Sequence, residues 1–195
     1  MKNLLFLFVL SILCCSVAII ELKAEYTECD SIPDCPWLPQ EGVNTFSFVY
    51  TGGGGCYNCT YVVEYKCRIC PAEVNRSYCD LLITGIKTEG ENCKCNPSFI
   101  LDICSDTLIV RNVCGFPLLP GESYDYIYRR FFQGLCVRWE DGFNTRILRC
   151  QEHRDLCCEK IYVLNSSYNK TIIMSVETVP IEETCTEPSC TKICE

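Results

Sequence analysis

Residues 60–66, TYVVEYK, carry aromatic and β-branched side chains with no Gly, Pro, Asn or Asp to turn the chain, and that pattern predicts one extended strand. Tyr61, Val63, Tyr65 and Cys67 then share one face, with Val62, Glu64 and Lys66 on the other. Phe46 to Tyr50 reads as a shorter strand. PAEVNRSY carries turn chemistry, and DLLITGIKT after it reads as a strand that returns antiparallel, closing a β-hairpin. The period changes at Asn96-Pro97, an N-cap residue followed by proline in the first helical position. The helix runs at about 97–113 and stops at Gly115. At 100° per residue Phe99, Ile100, Ile103, Cys104, Thr107, Val110 and Cys114 fall on its apolar face, opposite Asp102, Ser105, Asp106 and Asn112.

Period two returns from residue 122, where Tyr124, Tyr126 and Tyr128 alternate with Asp125, Ile127 and Arg129. LCVRWE and FNTRILRC flank Asp141-Gly142, a dipeptide suited to a type I′ turn, and predict a second hairpin. CCEKIYVL and KTIIMSVETV predict a third around NSSYN. Residues 25–45 are rich in proline and turn formers and form an irregular lead-in fastened by Cys29 and Cys35. Residues 181–195 have too few apolar positions for a core and read as a cysteine-containing, loop-rich tail tied down by Cys185, Cys190 and Cys194. The expected fold is a disulfide-rich α+β domain over residues 25–180, built of antiparallel β-hairpins with one amphipathic helix packed on the sheet.

Residues 1–24 read as a secretory signal peptide. Lys2 supplies the positive start, Leu4 to Leu13 is apolar apart from Ser11, and Ser16 and Ala18 supply small residues. Cleavage is expected after Ala18 or Ala24. No apolar run in the mature chain approaches the roughly 20 residues of a membrane span. The formal net charge is −8, and loss of Lys2, Lys23 and Glu21 with the leader makes the chain more acidic. An acidic surface repels nucleic acid and anionic lipid.

Of the 20 cysteines, Cys14 and Cys15 leave with the leader. The remainder are Cys29, Cys35, Cys56, Cys59, Cys67, Cys70, Cys79, Cys93, Cys95, Cys104, Cys114, Cys136, Cys150, Cys157, Cys158, Cys185, Cys190 and Cys194, all disulfide candidates. An even number in an exported chain is the arithmetic of a disulfide framework, although connectivity does not follow from spacing. Two C-x-x-C pairs, Cys56/Cys59 and Cys67/Cys70, raise the alternative of zinc. The strand between them holds the pairs apart by roughly 27 Å, at about 3.4 Å per residue. Zinc needs four thiolates at about 2.3 Å, and this chain has no means to fold back. A redox role wants the first cysteine at a helix N-terminus, whereas CYNC runs into a strand. Cys104 and Cys114 point to the core and suit bridges to strands, and the neighbours Cys157 and Cys158 face opposite ways and suit two different partners.

His153, in QEHRD, is the only histidine, which excludes multi-histidine metal sites and two-histidine acid–base chemistry. A Ser-His-Asp arrangement around it is formally open, but its charged neighbours suit a solvated loop. The carboxylate pairs Glu140-Asp141 and Glu182-Glu183 fall in a turn and in the tail. No cofactor or metal ligand set is expected. YDYIYRRFFQGLCVRW, residues 124–139, concentrates aromatics and arginines, the types enriched in binding hot spots. The alternative there is a strand with an aromatic core face and solvated arginines. Asn58, Asn75, Asn165 and Asn169 each begin an Asn-x-Ser/Thr sequon, an N-glycosylation acceptor if the source is eukaryotic.

Residues 56–164 resemble a group of cysteine-rich exported proteins of Bacteroidota-type bacteria. The likeness rests on TYVVEYKCRIC, a helix leading into GFPLLPGE, then GLCVRWEDG, and RILRCQEHRDLCCEKIYVL. Cys185, Cys190 and Cys194 depart from that pattern. The resemblance implies an envelope or extracellular location and carries over no activity and no site residues. The expected function is that of a secreted or cell-surface, non-enzymatic protein that binds an extracellular protein or glycan, or serves as a durable envelope component. The alternatives are a small secreted hydrolase using His153 and a secreted inhibitor or effector presenting a braced loop such as CGFPLLPGE.

Overall fold

The turn-free run after Cys59 folds as a single strand, and its neighbours build a sheet around it. The computed structural model describes residues 29, 35–53, 56–70, 78–89, 93–119, 122–140, 145–153 and 156–194. The expected leader, residues 1–24, lies outside them. The elements are β1 (Asn44–Tyr50), β2 (Cys59–Cys70), β3 (Tyr78–Glu89), α1 (Pro97–Val110), β4 (Ile127–Gly134), β5 (Cys136–Glu140), β6 (Arg146–Arg149), β7 (Cys157–Asn165), β8 (Ile172–Thr178) and β9 (Thr191–Lys192). Among the described residues this is a mostly β chain with one α-helix, a disulfide-rich α+β arrangement.

β1, β2 and β3 form an antiparallel meander. On its other side β3 meets two strands in succession. Asp80–Leu82 pair in parallel with Arg130–Phe132 of β4, while Ile86 and Lys87 pair antiparallel with Ile147 and Arg146 of β6. The sheet therefore forks beyond β3. One branch continues from β4 to β7 and β8, the other from β6 to β5 and β9. β4 and β5 are nearly continuous in sequence but serve different branches, separated only by Leu135. Gly134 precedes that switch, and a Cβ there would meet Arg149 Cγ at 2.6 Å, so any larger residue would force the Arg149 side chain to move.

The parallel β3–β4 pair departs from the all-hairpin expectation. Parallel neighbours need a crossover, and α1 supplies it. The hairpins β2–β3, β5–β6 and β7–β8 are antiparallel, and the Asp141-Gly142 turn lies outside the described residues.

Asn96 caps α1, its side-chain oxygen accepting from the Ser98 N–H at 2.9 Å, with Pro97 in the first turn. The helix ends earlier than expected. Asn112 takes φ +46°, its N–H donates to Ile109 O and the Val113 N–H donates to Leu108 O. That is a Schellman stop with asparagine in the left-handed position, and Gly115 lies beyond it. The buried stripe is Ile100, Leu101, Cys104, Ser105, Leu108 and Ile109. The expected phase was displaced: Phe99 is exposed and Ser105 is fully buried. The core accepts Ser105 because its hydroxyl meets the Tyr162 hydroxyl at 2.6 Å.

The main core lies between α1 and the inner face of the sheet, with Tyr61, Val63, Leu81, Phe131, Tyr162 and Leu164 among its members. Ile193 and Cys194 of the tail belong to the same core. A second, smaller core of Cys29, Trp37, Leu82 and Phe132 occupies the outer face. The lead-in is fixed there by reciprocal backbone bonds between Leu38 and Cys67 at 2.7 and 2.9 Å. Leu81 and Leu82 are both fully buried because β3 is covered on both faces.

Candidate binding surface

The two C-x-x-C pairs are split among four disulfides. Cys56 pairs with Cys95, Cys59 with Cys93, Cys67 with Cys114 and Cys70 with Cys35. Cys157 and Cys158 leave β7 on opposite sides, for Cys29 on the outer face and Cys194 in the inner core. Cys136–Cys185 and Cys150–Cys190 complete the framework and fasten the tail. Two cysteines correct the expectation that all would bridge. Cys79 and Cys104 are free thiols, both buried. They pack as small apolar side chains, and burial pushes the Cys79 thiol up to about 11 and the Cys104 thiol higher still. Neither is a ready nucleophile. Two clusters bring carboxylates near sulfur, Glu152 by Cys136 and Cys185, and Glu187 by Cys150 and Cys190. Those sulfurs are joined in disulfides and are not thiolate ligands.

His153 takes φ +52° in a partly exposed turn, and its Nε2 donates to the Thr184 carbonyl at 3.1 Å. Glu140 is paired with Arg146 at 2.7 Å, Asp141 is outside the described residues, and Glu182 and Glu183 are exposed. The loop CGFPLLPGE is anchored more than displayed. Phe116 is buried and Glu122 is bound by Arg129 at 2.7 Å, while Gly115, Pro117 and Leu118 are exposed. Of the sequons, Asn58 and Asn169 are exposed at φ +60°. Asn165 donates its amide to Asp125 at 3.2 Å, and Asn75 lies outside the described residues.

The tyrosine-rich stretch reverses the expected strand reading. Tyr124, Tyr126 and Tyr128 are 63, 55 and 53% exposed, whereas Arg129 is buried and Arg130 only slightly exposed. The arginines turn inward because acids wait for them. Glu122 accepts from Arg129 at 2.7 and 3.0 Å, and from the N–H groups of Leu119 and Tyr128 at 2.8 Å each. Arg129 also donates to the Pro117 carbonyl at 3.0 Å. This buried pair fixes the base of the segment that carries the tyrosines.

A second loop completes the surface. The β7–β8 turn is joined to the tyrosine segment by Ser166 N–H to Tyr124 O at 2.6 Å, and by Asn165 and Ser167 to the Asp125 carboxylate at 3.2 and 3.3 Å. Tyr168, at the tip of that turn, is fully exposed. Between the two loops lies a cleft of about 170 Å³ whose walls include Leu118, Tyr124, Leu164, Ser166 and Thr171. The arrangement offers aromatic faces interleaved with amide and hydroxyl groups on a braced frame. Tyr168 escaped the sequence reading, since one tyrosine in NSSYN carries no periodic signal. A larger cavity of about 320 Å³ near the start of α1 is lined mainly by polar side chains. Its two lysines are engaged, Lys160 with Asp102 and Lys192 with the Ile181 carbonyl.

No family model, no curated protein and no solved structure matches the chain. Among the described residues no helix is long and apolar enough to cross a membrane.

Proposed function

We propose that this is an extracellular, non-enzymatic binding protein that engages a protein or glycan partner through Tyr124, Tyr126, Tyr128 and Tyr168. Eight disulfides among the described residues suit an oxidising compartment and a scaffold that must last there. The single observation that carries the reading is the outward display of Tyr124, Tyr126 and Tyr168 on two loops tied to each other, with Tyr128 beside them at the start of β4. Tyrosine supplies a large apolar face and a polar tip at little entropic cost, which suits it to contact surfaces. The hydrolase alternative has less support, because His153 spends its Nε2 proton on a backbone carbonyl.

The test compares the oxidised protein with the Tyr124→Ser/Tyr126→Ser/Tyr128→Ser variant, in affinity capture from the native extracellular fraction and on a glycan array. Loss of a saturable partner in the variant, with unchanged circular dichroism and disulfide content, supports the reading. Equal binding by both proteins, or none by either, overturns it.

A further inference from the structure

The fork in the sheet brings two buried polar side chains to one small cavity. Between the β4 and β6 pairings, Ile83, Thr84 and Gly85 have no register partner on that side of β3. On the other side the β2 register steps from Glu64–Gly85 to Tyr65–Ile83 and passes over Thr84. Thr84 is therefore a bulge residue at the fork, and a bulge re-aims the side chain it carries. Thr84 and Gln133 of β4 line a cavity of about 20 Å³ together with Leu101 of α1 and Ile86 of β3. Thr84 is 4% exposed and Gln133 1%. The Thr84 hydroxyl and both polar atoms of the Gln133 amide make no hydrogen bond within the described residues.

We propose that this fork is a binding site for one water molecule, bridging the Gln133 amide and the Thr84 hydroxyl. The size fits, since one water needs a cavity of roughly 10–15 Å³ and two to four polar partners. A larger guest does not fit, and no carboxylate lines the cavity to hold a cation. Water both donates and accepts, so it serves an amide and a hydroxyl together, as an apolar filling would not. Its place is structural: it supplies the hydrogen bonding that the chain forgoes where one branch of the sheet leaves β3 and the other joins it.

Magnetic relaxation dispersion of ¹⁷O water on the oxidised protein counts long-lived internal waters. The wild type is expected to hold one more than Gln133→Met, whose side chain fills the space without polar atoms. An equal count overturns the proposal. Should Gln133→Met fail to fold, a crystal structure of the wild type decides. Density within hydrogen-bond distance of both Gln133 and Thr84 supports the site, and a cavity without density, or a direct Gln133–Thr84 bond, refutes it.

Discussion

Arg68 and Asp80 are direct cross-strand partners on β2 and β3, and the Arg68 Nε donates to Asp80 Oδ2 at 2.7 Å with both side chains essentially inaccessible to water. Arg130 donates to the same carboxylate at 2.8 and 2.7 Å, and the Arg68 guanidinium lies 4.1 Å from the Trp37 ring centroid. One buried acid thus bridges two arginines beneath the lead-in segment, with Glu159 lying 3.9 Å from the second of them, Arg130. Removing it strands charge in a low-dielectric site. Asp80→Asn is expected to lower the unfolding free energy of the oxidised protein by about 3–5 kcal/mol. Arg146→Gln, which breaks the exposed Glu140 pair, should cost under about 1 kcal/mol. Urea unfolding of both variants checks this, and an Asp80→Asn protein within 1 kcal/mol of wild type would contradict it.

The two free thiols give a chemical test of the core. Cys79 lies on β3 and Cys104 on α1, and each is sealed in the main cluster. Iodoacetamide should leave both unmodified in the native protein at pH 8. In denaturant without reductant, the peptides bearing Cys79 and Cys104 should be alkylated while the other described cysteines stay protected as disulfides. Mass spectrometry of the digest reads both arms. Modification of Cys104 in the native state would mean that the helix face is not closed.

How much of this was legible follows from which forces are local. The alternation in β2 and the Asn96-Pro97 start of α1 are local, and the structure has both where the pattern put them. The helix phase was not legible, because Phe99, Ile103 and Val110 are as apolar as the residues that are buried, and the hydroxyl of the buried Ser105 is satisfied by the Asp102 carbonyl of its own helix together with Tyr162, 57 residues away. The tyrosine segment shows the same limit. Period two separates Tyr126 and Tyr128 from Ile127 and Arg129 but does not say which face is the core. Glu122 holds Arg129 on the inner face, while Arg130, which shares the face of Tyr128, is covered through Asp80, 50 residues away. A lone aspartate inside the apolar run DLLITGIKT was the one signal in the sequence that a buried cation was waiting for it.

Asp106 supplies a pH dependence with a definite sign. Burial raises its carboxyl above the usual aspartate range, partly offset by the hydrogen bond that Tyr162 donates to it at 3.0 Å. Between the ordinary value, about 4, and the raised one, the folded state holds the proton more firmly than the unfolded. Stability therefore falls as pH rises through that window. Asp106→Asn keeps an acceptor for Tyr162 and removes the titration. Its melting temperature should match wild type near pH 3 and exceed it by about 1–2 °C at pH 7, a small gain because the carboxyl is only half-buried. Thermal melts across pH 3–7 check this, and a deficit at pH 7 would reverse the assignment.

Glu152 works in the opposite sense. Its carboxylate accepts from the Thr186 hydroxyl at 2.7 Å, the Thr186 N–H at 2.9 Å and the Glu187 N–H at 2.7 Å, while Glu187 accepts from the Gln151 N–H at 2.9 Å. Each glutamate thus satisfies backbone donors on the other's segment, between the Cys136–Cys185 and Cys150–Cys190 bridges. The bond from the Thr186 hydroxyl is the chief cause holding Glu152 below the usual glutamate range. A depressed value means that the clip is fully present above the ordinary glutamate pKa, about 4.3, and is lost as pH falls through the lowered one. Carbon-detected NMR titration should place Glu152 below that ordinary value. In Glu152→Ala the Thr186 and Glu187 amides should lose hydrogen-exchange protection at pH 7. The melting temperature should barely move, because the disulfides still tether the tail. An ordinary titration for Glu152, or unchanged protection in the alanine variant, would show that the bridges alone hold this segment.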